Sequence, residues 1–264
     1  MFRTLLPLLL LTTIAATPFA PTAAASPAAA YEGRWNYDYP DGATKINMAA
    51  LSLAEGAEGP QIGDIVFTAT DSEHVTGRTD VGCTWQFRVT GAALALDPPG
   101  QTCHNPVLGA FYTMREWTVR VDGDRETESL TATSHHADRD YEFTLAHGAR
   151  TRVPEFDPPA AARFEGAWQY GSPPPKAGTT VRLTTNYANR LTAVTDDGCH
   201  WTLLARGNTA KLDPPAQTCT QGDSTVTLRF WTIAPQGDHQ LSLQTGTDPS
   251  GDFVLTGDLT RRTE

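Results

Sequence analysis

Gly82-Cys83-Thr84-Trp85-Gln86-Phe87-Arg88-Val89, with the stretch that follows it to Asp97-Pro98-Pro99-Gly100-Gln101-Thr102-Cys103, returns 116 residues later. The second version runs from Gly198-Cys199-His200-Trp201 to Asp213-Pro214-Pro215-Ala216-Gln217-Thr218-Cys219, and 11 of the 22 positions are identical without a gap. Trp85, Phe87 and Val89 alternate with polar residues, the period of a half-buried β-strand. Thr90-Gly91 and Arg206-Gly207-Asn208 have the composition of hairpin turns. The return strands then end at Leu96 and Leu212, because the following prolines cannot continue a ladder. The unit of this protein is therefore a β-hairpin, present in two copies.

Outward from these windows the repeat continues. Tyr31-Glu32-Gly33-Arg34-Trp35 answers Phe164-Glu165-Gly166-Ala167-Trp168 at an offset of 133, and Ile65-Val66-Phe67-Thr68 answers Val181-Arg182-Leu183-Thr184 at 116. Arg115-Glu116-Trp117 answers Arg229-Phe230-Trp231 at 114, and the tails are matched near Asp140 and Asp252. The drop from 133 to 116 puts an extra segment of 17 residues in the first copy, within about 38–64. It is read as an added strand, a lid or a loop over a barrel mouth. The units span 31–153 and 164–263, joined by a proline-rich linker at 154–163.

In the second copy, strands are expected at 164–170, 179–186, 190–196, 200–206, 208–213, 224–234, 239–246 and 252–260. Eight short strands joined by tight turns predict an all-β protein of two tandem antiparallel up-and-down barrels, with paired β-sandwiches as the alternative.

The first 25 residues have a positive start at Arg3, an apolar run from Leu5 to Ala16 and small residues at Ala23-Ala24-Ala25, the pattern of a signal peptide. Cleavage is expected after Ala25, with Ala30 as the alternative. The mature chain is expected to be soluble and either secreted or periplasmic. The formal charge of -10 falls to about -11 when Arg3 is lost, which leaves no basic footprint for nucleic acid or an anionic membrane. Four cysteines in two equally spaced pairs predict the disulfides Cys83–Cys103 and Cys199–Cys219. Each would contribute about 3 kcal/mol on a chain-entropy estimate.

The opening Gly-x-Trp of both copies, Gly33-Arg34-Trp35 and Gly166-Ala167-Trp168, together with the strand count, resembles the start of lipocalin- and avidin-type barrels. That resemblance implies a barrel-end plug at Trp35 and Trp168. A basic residue of the last strand would lie across each ring: Arg150 or Arg152 in the first copy, Arg261 or Arg262 in the second. It supplies no ligand set. The cysteine-bounded run also resembles repeats of secreted bacterial proteins without assigned activity.

All six tryptophans are repeat-matched, and Trp85, Trp117, Trp201 and Trp231 are expected to face inward. They serve either as core or as the lining of a cavity for a small hydrophobic or aromatic ligand. His135, His136, Asp138 and Asp140 form the one tempting metal cluster, read as a solvated turn because the second copy lacks it. Asp97 and Asp213 are read as turn caps. No nucleophile–base pair recurs, so a non-enzymatic protein without metal or cofactor is expected. It would be a ligand-binding barrel pair or, alternatively, a structural or adhesive envelope protein whose loops engage a partner.

Overall fold

The computed structural model of the chain describes residues 26–37, 45–47, 58–60, 62–107, 109–136, 139–155, 157, 159–171 and 180–263. The expected signal peptide at 1–25 lies outside them. The strands of the first unit are β1 (Gly33–Tyr37), β2 (Lys45–Asn47), β3 (Glu58–Pro60), β4 (Asp64–Ala69), β5 (His74–Thr79), β6 (Thr84–Thr90), β7 (Ala93–Leu96), β8 (Gln101–Asn105), β9 (Ala110–Asp122), β10 (Arg125–His136) and β11 (Arg139–Val153). Those of the second are β12 (Gly166–Tyr170), β13 (Thr180–Thr185), β14 (Arg190–Thr195), β15 (His200–Arg206), β16 (Thr209–Leu212), β17 (Gln217–Gln221), β18 (Ser224–Gln236), β19 (His239–Asp248) and β20 (Gly251–Arg261).

Both units close. In the first, β1-β4-β5-β6-β7-β9-β10-β11 returns to β1, and in the second β12-β13-β14-β15-β16-β18-β19-β20 returns to β12. Each is an antiparallel barrel of eight strands, so the barrel prediction holds and the sandwich does not. One strand per unit follows the prolines and lies beyond the expected eight: β8 pairs with β9, and β17 with β18, outside the closed ring. The extra segment contributes the small β2–β3 ladder, its last residues 62–64 lead into β4, and the rest of it lies outside the described residues.

Alternation builds the walls. On β6, Trp85 and Phe87 are buried while Thr84, Gln86 and Arg88 are exposed. Apolar inside and polar outside is the inverse of a membrane barrel, whose outward band is apolar. Both expected disulfides are formed, tying β8 and β17 to the loops that precede β6 and β15. The shared glutamines explain the rest of the motif. Gln101 Oε1 accepts from the Gln86 amide at 2.8 Å while its Nε2 donates to Gln86 O and Pro98 O. Gln217 does the same with Thr202 and Pro214. A side chain thus stands in for a strand partner beyond the point where proline ends the ladder.

Asp97 and Asp213 are not turn caps. Each instead pairs with an arginine, Arg88 at 2.8 Å and Arg190 at 2.6 Å. Of the stretch 154–163, Ala160 and Ala161 are buried in the second barrel's core, in the way Ala28 is buried in the first. The tail match also shifts. The ion pairs Arg115–Glu142 and Arg229–Asp252 equate Glu142 with Asp252. A bulge opposite Glu128–Leu130 lengthens β11, and β20 has no counterpart to it.

The barrels meet along β1 and the β15–β16 hairpin. Gly207, at φ 59°, turns that hairpin against Val153 and Asn36, where a Cβ would lie 2.9 Å from Val153 Cγ2. Asn36 donates to Arg206 O at 3.0 Å and to Thr209 Oγ1, and Asn208 donates to Tyr37 O. Lys211 reaches from the second barrel into the first, 2.5 Å from Asp64 and 3.3 Å from Asp80. Arg34 holds the same Asp64 oxygen at 2.8 Å. Burial pushes both carboxyls up. For Asp64 the two cations outweigh it and lower the pKa, whereas Asp80 stays raised.

Candidate functional site

The residues expected as barrel-end plugs lie on β1 and β12, next to their first residues. The indoles of Trp35 and Trp168 are fully buried and donate at 2.8 Å to Tyr31 O and Phe164 O. Arg152 and Arg261 lie 4.2 Å above the ring centroids, so these are the residues that cross the tryptophans. Arg150 has a different place.

Inside the first barrel the aromatic rings engage one another. Trp85 and Trp117 meet edge-to-face at 6.3 Å, Phe87 and Trp117 at 5.3 Å, and Phe67 and Phe87 at 5.5 Å. A Cβ on inward-facing Gly77 would stand 2.8 Å from Ile65 and Phe67 and 2.9 Å from Phe87. Around these residues the first barrel is solid, with no room for a methyl group.

Beside the rings lies a buried polar cluster that sequence reasoning passed over. Arg150 bonds Glu126 at 2.6 Å, Glu128 at 2.8 Å and the Tyr37 hydroxyl at 2.6 Å. Tyr37 donates to Glu128 at 2.6 Å, as does the Trp117 indole at 2.7 Å. The guanidinium also stacks 4.1 Å above the Tyr37 ring. Burial dominates the electrostatics and pushes Glu126 up to about 8 against the pull of Arg150, with Glu128 adding to the rise. Burial draws the Arg150 pKa down, but the two carboxylates more than reverse this. The signal in sequence was the alternation Glu126, Glu128, Leu130, which puts two acids on the inward face of β10.

A proton kept by folded Glu126 and released by the unfolded chain sets the sign of a pH dependence. Its stabilising contribution is complete below the ordinary glutamate range near 4.5 and is lost as pH rises through about 8. Unfolding free energy should therefore fall over that range, by on the order of 2–4 kcal/mol, relative to Glu126→Gln. Urea midpoints of both proteins between pH 5 and 9 test this. A constant difference between the two would refute it.

The second barrel keeps the rows and changes the chemistry. Strand register equates Glu126 with Gln240, Glu128 with Ser242, Arg150 with Leu259 and Tyr37 with Tyr170. Trp231 donates to Ser242 at 3.0 Å, Tyr170 lies 3.2 Å from the same hydroxyl, and Gln244 donates to Tyr170 at 2.9 Å. Burial pushes the Tyr170 phenol up to about 12, so it is neutral. Gln240 is fully buried, and neither end of its amide has a partner among the described residues.

The remaining candidates lie elsewhere. His135 pairs with Asp140 at 2.5 Å on the exposed β10–β11 hairpin. The side chain of His136 and residue Asp138 fall outside the described residues. Trp201, like Trp231, is buried inside the second barrel.

Fold and interior together define a class: two closed, inward-apolar barrels, each with a polar cluster beside a tryptophan, held by disulfides that belong to an oxidising, non-cytoplasmic compartment. No family model and no curated protein matches the chain. Among solved structures, one described as a "putative outer membrane protein" of Bacteroides fragilis NCTC 9343 aligns over 90% of this chain and 100% of its own. The identity is 10% and the TM-score 0.30, too loose a likeness to carry an argument.

Proposed function

We propose that this is an exported, non-catalytic binding protein built from two lipocalin- or avidin-like barrels, acting on a small hydrophobic or aromatic molecule outside the cytoplasm. The observation that carries the reading is the polar cluster placed in matching interior rows of both barrels. Polar groups buried among tryptophans cost more than an apolar core unless they are satisfied, and a ligand group is one means of satisfying them. The Trp35–Arg152 and Trp168–Arg261 stacks support the barrel-end arrangement that the lipocalin resemblance implies. The tight packing around Gly77 in the first barrel, and of Tyr170 against Gly257 in the second, is the observation that favours the structural alternative.

Tryptophan fluorescence of the oxidised protein, titrated with a panel of small aromatic and aliphatic compounds, tests the proposal. Saturable quenching is expected for at least one compound class, weakened in a folded Trp231→Phe variant. A flat response across the panel would leave two solid barrels whose loops serve a partner.

A further inference from the structure

The two barrels have the same strand number, and apart from the β11 bulge their registers match. Trp35 opposes Ile65 and Arg152, as Trp168 opposes Val181 and Arg261. Val75 opposes Phe87 as Leu191 opposes Leu203, and Leu94 opposes Val119 as Ala210 opposes Ile233. Strand number and stagger fix the width of a barrel, so the two enclose similar interiors.

Their fillings differ. Phe67 becomes Leu183, Phe87 becomes Leu203, Leu94 becomes Ala210, Glu128 becomes Ser242 and Arg150 becomes Leu259, each a loss of three non-hydrogen atoms. Single-atom gains, such as Ala193 for Gly77 and Ile233 for Val119, recover only part of this. At Gly77 the first barrel has no space for a methyl group, and at Gly257 the second is as tight, where a Cβ would stand 2.7 Å from the Tyr170 ring; in its other rows the second barrel carries fewer atoms than the first within a similar wall. Into that interior points Gln240, fully buried, with donor and acceptor both unpartnered among the described residues.

We infer that the second barrel, not the first, holds the ligand, and that the ligand is a small uncharged molecule with a carboxamide-type edge on an apolar or aromatic body. This rests on the binding reading above and deepens it. Gln240 presents one donor and one acceptor, the complement of another amide edge. Tyr170 and Gln244 add neutral polar contacts, and the rings of Trp201 and Trp231 supply apolar faces. The matching rows hold no charged residue, so a charged ligand would lie unpaired in a dry interior. The first barrel fills the same rows with its own Arg150–Glu126–Glu128 cluster.

The test uses the full oxidised chain, ¹⁵N-labelled, titrated with benzamide and compared with benzoate and toluene. Saturable shifts of the Trp231 indole and Gln240 side-chain amide signals are expected, with benzoate and toluene weaker by about tenfold or more. Leu203→Phe, which refills the space, should abolish these shifts while leaving the thermal midpoint unchanged or higher. Gln240→Leu should remove the preference for benzamide over toluene. Shifts confined to Trp85 and Trp117 would overturn the assignment to the second barrel while leaving the binding proposal standing. Absent shifts with a lowered midpoint for Leu203→Phe would show a tightly packed second barrel and overturn the inference. Absent shifts with a tolerated phenylalanine would overturn the amide class, and the fluorescence panel then decides whether the broader proposal also falls.

Discussion

Arg150→Leu is expected to destabilise the protein by about 3–5 kcal/mol, the usual range when one member of a buried ion cluster is removed. Arg150 is the cation in direct contact with both Glu126 and Glu128 among the described residues, and all three side chains are almost fully buried. Without it, Glu128 loses its charged partner and Glu126 its hydrogen-bond donor, both buried beside Tyr37 and Trp117. The second barrel supplies the rescue, because it carries leucine at this row with glutamine and serine opposite. Adding Glu126→Gln and Glu128→Ser to Arg150→Leu should recover most of the loss, since the carboxylates that needed the cation are then gone. Urea unfolding of the single and triple variants provides the measurement. A single variant within about 1 kcal/mol of the parent would show that the cluster is not held as charges.

Lys211→Met is expected to cost about 2–4 kcal/mol near neutral pH and to loosen the two barrels from each other. Lys211 is the cation that the second barrel lends to Asp64 and Asp80 of the first, and Arg34 touches only Asp64. Removing it leaves Asp80 buried without a counter-charge among the described residues. The wild-type advantage is carried by a depressed Asp64 pKa, so it is present above the ordinary aspartate range and lost as pH falls through the folded value. The gap between the two proteins should therefore narrow on acidification. Unfolding monitored by urea at pH 7 and pH 4 reads both effects, and adding Asp80→Asn should restore part of the loss. Equal stability of Lys211→Met and wild type at pH 7 would mean that the contact contributes nothing to holding the barrels together.

The barrels were legible because alternation is local. Trp85, Phe87 and Val89 mark the inward face of β6 from seven residues of sequence, and the repeat transfers that face to Trp201 and Leu203. The extra strands were not legible. Gln-Thr-Cys-His-Asn is short and polar, and it pairs with β9 only because the disulfide and the Gln101 side chain deliver it there. The interior cluster was hidden for a different reason. A glutamate on a strand is ordinarily solvated, and only the distant pairing of Glu126 with Arg150 reverses that expectation. Contacts such as Lys211 with Asp64 join residues 147 positions apart, beyond any window of local pattern.

Closure also determines what the wall can offer to another polypeptide. A ring of eight strands closes on itself, so among the described residues the free ends of the two nine-stranded sheets are the five-residue strands β8 and β17. Both are short, polar apart from the cysteine and stapled by a disulfide, features that discourage edge-to-edge growth. The same two bridges that mark an oxidising compartment therefore guard the places where this chain could otherwise polymerise.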